Sequence, residues 1–320
     1  MSNVTIERIS VDKVLYQGKT YTCNGERIMI DGQVRWLYRT RDGLDCDILV
    51  CDDRYLEEPE FTHLVKFPSG CYTVPSSGTT PKCLTFTAGE DGIGIGFVAL
   101  NNGYELPKEY EPPRIEYSLD DGETWQPYEV VVTDDVAKAN VIRLDTGNSV
   151  LFRGDNDTLA YYIEGTGNYV YFQAYISGSV AASGDVTSLL NGAGGDADVP
   201  EYCYSGMFSN CTGLTVAPEL PATTLAEYCY NAMFINCTGL TEAPALPATT
   251  LVDGCYSYMF EGCNSINKVT CLATDISANA CTEQWLSSTP KTGVFTKASS
   301  MSDWSTGISG IPSGWTVVDA

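Results

Sequence analysis

The sequence predicts a multidomain, β-rich chain: an N-terminal all-β domain over residues 1–80, a central β-sandwich over 81–185, and a C-terminal α/β solenoid of 26-residue repeats over 186–320. Three observations predict it. A 26-residue block recurs nearly verbatim in the last third of the chain. Short apolar runs broken by Gly, Asn and Asp fill the middle, and alternating apolar and polar residues open the chain. With 320 residues, the chain is long enough for two or three domains with cores of their own. Hydrophobic residues at 43% against 18% charged place it among globular rather than disordered sequences.

The N-terminal strands are read from Val4-Thr-Ile-Glu-Arg-Ile, Val14-Leu-Tyr, Lys19-Thr-Tyr-Thr-Cys and Arg27-Ile-Met-Ile. Asp31-Gly32 then leads into Val34-Arg-Trp-Leu-Tyr. Asp-Gly between two such runs signals a hairpin, because the tight turn that suits strand twist needs left-handed backbone. Arg35, Arg39 and Arg41 cluster in this stretch and either face an acidic partner surface or offset the local acids. The chain's single histidine, His63, has no second histidine to work with and is read as structural.

In the middle, Leu84-Thr-Phe-Thr-Ala, Arg114-Ile-Glu-Tyr-Ser, Tyr128-Glu-Val-Val-Val, Val141-Ile-Arg-Leu, Ser149-Val-Leu-Phe-Arg and Tyr169-Val-Tyr-Phe have the rhythm of a sandwich. Ser118-Leu-Asp120-Asp-Gly122-Glu-Thr124-Trp125 fits SxDxGxTW, an Asp-box hairpin. There Asp120 and Ser118 bond turn backbone and Trp125 anchors the loop. Sialidase propellers carry several boxes with an arginine cluster and a Tyr/Glu pair; a single copy is read as structural. Arg153-Gly154-Asp155 matches an integrin-binding tripeptide, but its place between a strand and Asn156-Asp157 reads as a tight turn. Asp155, Asn156 and Asp157 also offer oxygen ligands for calcium. The later Gly and Glu of an EF-hand loop are absent, and no metal is assigned. Gly92-Ile-Gly94-Ile-Gly96 lacks the spacing of a nucleotide loop and no Lys-Ser/Thr follows.

The repeats decide the C-terminal fold. Residues 203–228 and 229–254 share 18 of 26 positions, a third copy starts at Cys255, and a fourth starts at Cys281 with Trp285-Leu286 in place of Met-Phe. Thr224-Leu-Ala-Glu227, Thr250-Leu-Val-Asp253 and Asp198-Val-Pro-Glu201 resemble helix capping boxes. Leu225, Cys229, Ala232 and Met233 then fall at helical spacing, and Leu240-Thr-Glu-Ala-Pro244 is the expected strand. One short helix and one strand cannot close a core, so the copies must stack. The preceding stretch, Asn191-Gly-Ala-Gly-Gly-Asp196-Ala-Asp198, is expected to be a loop ending in the first helix cap.

Of 13 cysteines, seven form two ladders at the repeat spacing: Cys203, Cys229, Cys255 and Cys281, then Cys211, Cys237 and Cys263. They are expected to be buried stacking thiols. Disulfides between neighbouring rungs stay open in an oxidising milieu. The others, at 23, 46, 51, 71 and 83 besides Cys271, form no CxxC pair, so no zinc ribbon or thioredoxin-type site is signalled.

The pattern CYxxMFxNCTGLTxAPxLPATTL resembles the BspA-like class of leucine-rich repeats, abundant in surface proteins of gut Bacteroidetes and in phages that infect them. The resemblance covers about residues 186–320. The closing segment, Trp304-Ser-Thr-Gly307 through Gly310-Ile-Pro-Ser-Gly314-Trp315-Thr-Val-Val, resembles the cap of that class. The central module is similar to those found just ahead of such repeats, down to Ala182-Ser-Gly-Asp-Val-Thr-Ser-Leu-Leu190. It implies that sandwich and repeats pack rigidly, and an adhesion or recognition role without catalysis. It gives no ligand.

Charge and missing chemistry bound the function further. Forty-one acidic against 18 basic residues leave a net charge of −23, which repels nucleic acid and anionic lipid. No apolar run is long enough to insert in a membrane. Only Lys268, Lys291 and Lys297 are basic beyond residue 200, whereas the first eighty residues carry nine Lys and Arg. No histidine pair, nucleophile triad, phosphate loop, metal spacing or pair of hydrolase acids is evident, so no enzyme and no cofactor is expected. Met1-Ser2-Asn3-Val4 runs into strand-like sequence without an export signal, so synthesis and folding in a cytoplasm are expected. Together these readings suggest a virion structural protein of a Bacteroidetes phage, a tail, baseplate or head appendage. Its N-terminal domain would dock to other virion proteins and its repeats would meet a host cell-surface protein or glycan. It is expected to be a homo-oligomer, with a trimer the first guess. A bacterial cell-surface adhesin is the alternative. The expected contact surface is the strand column where copies differ, Val216, Glu242 and Lys268, flanked by Thr215, Thr241 and Asn267; the competing reading is that these positions drift unconstrained.

Overall fold

The computed structural model describes residues 82–302 and 304–320 in full, and between residues 6 and 65 the backbone of the strands alone. The chain divides into two compact units, Met1–Gly78 and Thr79–Ala320. In the first, β1 (Ile6–Ile9), β2 (Val14–Tyr16), β3 (Lys19–Tyr21), β4 (Cys23–Ile30), β5 (Gln33–Thr40), β6 (Ile48–Asp52) and β7 (His63–Val65) succeed one another. β1-β4-β5-β6-β7 form one antiparallel sheet, and β2 pairs with β3. β4 and β5 pair in antiparallel register with Ile30 opposite Gln33; the Asp31-Gly32 turn expected between them lies outside the described residues. The arginine cluster and Cys23, Cys46, Cys51 and Cys71 lie outside the residues whose side chains are described.

The second unit opens as a two-sheet sandwich. Its strands are β8 (Leu84–Ala88), β9 (Ile93–Leu100), β10 (Ile115–Ser118), β11 (Gln126–Tyr128), β12 (Val131–Thr133), β13 (Ile142–Leu144), β14 (Ser149–Gly154), β15 (Tyr161–Ile163), β16 (Asn168–Ser177), β17 (Val180–Ser183) and β18 (Leu214–Val216). One sheet runs β11-β10-β14-β8-β17-β18. The other runs β12-β9-β16-β15, with β13 also paired to β9. Alternation puts Leu84, Phe86 and Ala88 of the first sheet and Val170, Phe172 and Ala174 of the second inward. Phe97 stacks on Phe172 of its own sheet at 4.8 Å and meets Phe152 of the facing sheet edge-on at 5.0 Å. β9 is buried along nearly its whole length. Gly96 in it carries no side chain because a Cβ would stand 2.6 Å from the Asn140 carbonyl, and Gly94 because one would stand 2.5 Å from Val141 Cγ1, whereas Gly92 has open space and a φ of +71°.

The first repeat continues this sandwich rather than hanging from it. β18 pairs in parallel with β17, and the Ala174 N–H of β16 donates to the Met207 carbonyl at 2.7 Å, so the repeat covers a free edge of each sheet. Phe86 meets Phe208 edge-on at 6.1 Å, and one hydrophobic core runs from Leu84 to Trp315. At the junction the buried Asp185 carboxylate accepts from Thr187 N–H and Oγ1, both at 2.8 Å, and from Gly195 N–H. The Ser188 hydroxyl, on the single-turn helix α1 (Ser188–Asn191), accepts from Leu84 N–H.

The repeats stack, but the expected helices do not form: α1 is the only α-helix among the described residues, and the unit is β-rich rather than α/β. The segments after the cap-like Asp198, Thr224 and Thr250 are chains of tight turns. In the first copy N–H groups of Cys203, Ser205, Met207, Ser209 and Cys211 donate three residues back, at 2.9–3.2 Å. The alternate N–H groups, of Tyr202, Tyr204, Gly206, Phe208 and Asn210, donate across to Glu227, Cys229, Asn231, Met233 and Ile235 of the next copy, at 2.8–3.1 Å. The same five bonds recur from the second copy to the third and from the third to the fourth. A helix keeps every such bond to itself; here half go sideways, as in a strand. Positive φ recurs every fourth residue, at Tyr202, Gly206 and Asn210 and again at Tyr228, Ala232 and Asn236. Each four-residue turn buries two neighbours fully and leaves the next two mostly half-buried, Ser205 and Ser257 being buried as well. Thus Cys229-Tyr230, Met233-Phe234 and Cys237 are buried while Ala232, expected on the buried face, is only half-buried.

Aromatic rings lie over their own copies through the stack. Phe208, Phe234 and Phe260 succeed one another at 5.4 and 5.6 Å, nearly parallel. Tyr204, Tyr230, Tyr256, Trp285 and Trp304 form a second column. The strand segments pair as a parallel sheet only late, in β19 (Lys268–Cys271), β20 (Val294–Lys297) and β21 (Thr316–Asp319). Leu240–Pro244 of the second copy is not a regular strand, although Ala243 N–H still donates to the Lys268 carbonyl. Indole N–H groups tie the closing segment down, Trp285 to the Gly310 carbonyl and Trp315 to that of Pro290.

Candidate functional site

The turn after each cysteine of the second ladder places a buried aliphatic residue, Leu214, Leu240 or Ile266, and turns the next two outward. Thr215, Val216, Thr241, Glu242, Asn267 and Lys268 are therefore all exposed, in register along the stack. The Thr215 hydroxyl donates to the Val180 carbonyl at 3.0 Å, and Asn267 N–H donates to the Thr241 carbonyl at 3.1 Å. Glu242 and Lys268 meet each other: Nζ lies 2.5 Å from Oε1, with both side chains about half exposed. Such a pair adds little stability, yet it removes net charge from the middle of the column. Two members were missed in the sequence. Val294 lies beside Lys268 in the parallel sheet and Thr316 beside Val294, and Gly293-Val294 repeats Asn267-Lys268 after 26 residues. The column offers exposed valines at 216 and 294, hydroxyls and one ion pair.

The Asp-box residues form a closed hairpin. Asp120 Oδ1 accepts from Thr124 N–H at 2.8 Å and from the Ser118 hydroxyl at 2.7 Å, while Oδ2 accepts from the Thr124 hydroxyl at 2.6 Å. These bonds, those from Thr124 foremost, hold the carboxyl down at about 2. Trp125 Nε1 donates to the Gly122 carbonyl, and the Trp125 ring covers the Arg153 guanidinium, 3.9 Å from its centroid. Arg153 is buried and reaches Glu116 Oε2 through Nη2 and Nε, both at 2.8 Å. The Arg-Gly-Asp tripeptide thus has its arginine inside a strand of the sandwich. Asn156 is likewise committed: its side-chain oxygen accepts from Arg114 N–H, and its amide donates to the Arg114 and Leu189 carbonyls. Among the described residues no cluster of His, Cys, Asp or Glu is placed to hold a metal ion.

All nine described cysteines are buried free thiols, the seven ladder residues with Cys83 and Cys271. Their position repeats as the sequence does: the Cys237 thiol donates to the Phe208 carbonyl and the Cys263 thiol to that of Phe234, each at 3.0 Å. Burial pushes the thiols of Cys203, Cys211, Cys255, Cys263 and Cys271 up to about 12, far from reactive thiolate.

Two surfaces had no reading in the sequence. Tyr162, Tyr169, Tyr202 and Tyr228 line up from β15 and β16 onto the repeats, with Tyr169 4.1 Å from Tyr202 and Tyr202 4.9 Å from Tyr228. Beside this row a groove of about 520 Å³ runs over the starts of successive copies. Its signal in the sequence was the recurring Thr-Thr-Leu-x-Glu/Asp, taken there as a helix cap. No protein-family model, curated protein or solved structure matches the chain.

Proposed function

We propose that this chain is a non-enzymatic structural and adhesion protein of a phage particle that infects gut Bacteroidetes, and that its repeats are BspA-like. The N-terminal unit docks to other virion proteins, and the repeats present a surface for a host protein or glycan. The observation that carries the reading is the contrast between scaffold and column. Buried positions recur unchanged through the first three copies, Cys, Tyr, Met, Phe and Cys, whereas the outward positions 216, 242 and 268 are Val, Glu and Lys. A scaffold that holds its core residues constant while residues on its surface, the column among them, differ from copy to copy is suited to recognition. The continuity of the sandwich with the first copy supports a rigid arm, since the contact row is then held in a fixed relation to β8 and β17.

The test exchanges the charges, Glu242→Lys with Lys268→Glu, so that their ion pair can re-form and the fold is spared. Particles carrying the exchange, or the double alanine variant, are expected to adsorb poorly to host cells. Unchanged adsorption by both removes the column from recognition.

A further inference from the structure

The groove on the repeats has an apolar floor and an acidic rim. Leu225 and Leu251 lie buried beneath it, with Ala226, Val252 and Ala278 half-exposed between them. Glu201, Glu227 and Asp253 line it at 26-residue spacing, one carboxylate per copy. The rise from copy to copy, read from the stacked phenylalanines, is 5.4–5.6 Å. No Lys or Arg lines the groove. Of the three lysines beyond residue 200, Lys268 is bound to Glu242 and Lys297 to Asp319, and among the described residues none pairs with the rim. Glu201 accepts a bond from the Tyr169 hydroxyl at 3.2 Å, and Asp253 accepts from Asn279 N–H at 2.9 Å; neither bond neutralises a charge. Tyr202 and Tyr228, each directly after a rim glutamate, stand stacked beside it.

An aliphatic floor with a row of anions above it is complementary to a side chain that is apolar along its stem and cationic at its tip. A lysine or arginine lays its methylenes on leucine and carries its charge to a carboxylate, with tyrosine rings adding cation–π attraction. Alternate residues of an extended chain point the same way about 6.6 Å apart, close enough to the rise of the stack for flexible side chains to follow it. We propose that this groove binds an extended segment of a partner protein bearing lysine or arginine at alternate positions, one basic side chain to each of Glu201, Glu227 and Asp253. The groove occupies a different stretch of each copy from the Val216–Lys268 column, so either surface can fail without the other.

The test uses the full chain and a fluorescent, capped peptide of alternating Lys and Thr, with a Glu-Thr peptide as counterpart, followed by anisotropy at low salt. Binding of the Lys peptide that weakens as salt rises is expected. The triple variant Glu201→Gln, Glu227→Gln and Asp253→Asn keeps the acceptor for Asn279 and should weaken binding about tenfold or more. Ala226→Lys, which tethers an amine in the groove, should do the same. A control that neutralises Asp134, Asp157 and Glu164 changes net charge equally and should bind as the parent does. Equal loss in that control would reduce the effect to overall charge and overturn the proposal. So would unchanged binding in the triple variant, binding of spermine but not of the peptide, or self-association of the chain abolished by the same three substitutions.

Discussion

Gly254 offers a sharp test of the turn stack. Its φ is +61°, and a Cβ placed on it would stand 2.2 Å from Cε1 and 2.3 Å from Cδ1 of Tyr228. Gly206 has nearly the same φ, +65°, but nothing lies within 4 Å of its Cβ position. Ala232 already occupies the equivalent of Gly206 in the next copy, at φ 51°. Gly206→Ala should therefore cost only the left-handed conformation, about 1 kcal/mol. Gly254→Ala carries that cost and must also displace the Tyr228 ring, breaking its stack on Tyr202 at 4.9 Å and 10°. An aromatic pair contributes about 1 kcal/mol, which brings the expected loss to about 2 kcal/mol. Equilibrium denaturation followed by circular dichroism reads both values. In a Tyr228→Ser background the extra cost of Gly254→Ala should vanish, leaving about 1 kcal/mol. Equal losses for the two glycine variants, or an extra cost that persists without the Tyr228 ring, would refute the stacked-turn geometry.

The thiols provide a second check. At pH 8, Cys203, Cys211, Cys237 and Cys263 should resist iodoacetamide in the native chain and react fully once unfolded, as read by peptide mass mapping; labelling of Cys237 at the rate of a free thiol would contradict its burial. For Asp120 the folded value of about 2 lies below that of an unfolded aspartate, about 3.9. Its stabilising effect is then present above about pH 4 and fades as pH falls toward 2, so the gap in Tm between the parent and Asp120→Ala should close over that range. A gap independent of pH would deny the hairpin its ionised carboxylate. Arg153→Lys cannot keep both bonds to Glu116 and the flat contact with Trp125, and should cost about 1–2 kcal/mol in denaturation; an unchanged midpoint would show that the buried arginine contributes no packing.

The repeat period was legible in the sequence because identity at 26-residue spacing is independent of what each copy folds into. The helix was not, since Leu225, Cys229 and Met233 at steps of four satisfy both a helix and a run of four-residue turns. The adjacent pairs Cys229-Tyr230 and Met233-Phe234 carried the difference. On a helix neighbours point 100° apart, whereas here both members of each pair are buried. The sandwich strands were legible from their alternation, as in Leu84, Phe86 and Ala88. The edge pairings that join the sandwich to the first copy were not, because backbone bonds such as Ala174 to Met207 leave no mark on residue type. That 216, 242 and 268 share one exposed position could be read from the repeat spacing, because each follows the buried Leu214, Leu240 or Ile266 by two residues. Arg153 could not be connected with Trp125, because a contact across 28 residues of chain depends on the register of β10 against β14.

The reading as a particle appendage is tested most directly by mass spectrometry of density-purified phage from cultures in which this chain is expressed. The chain should co-purify with the capsid and tail proteins at a fixed ratio through successive gradients. Its recovery in host cell envelopes, with none in the particle band, would contradict the account and favour a bacterial surface adhesin.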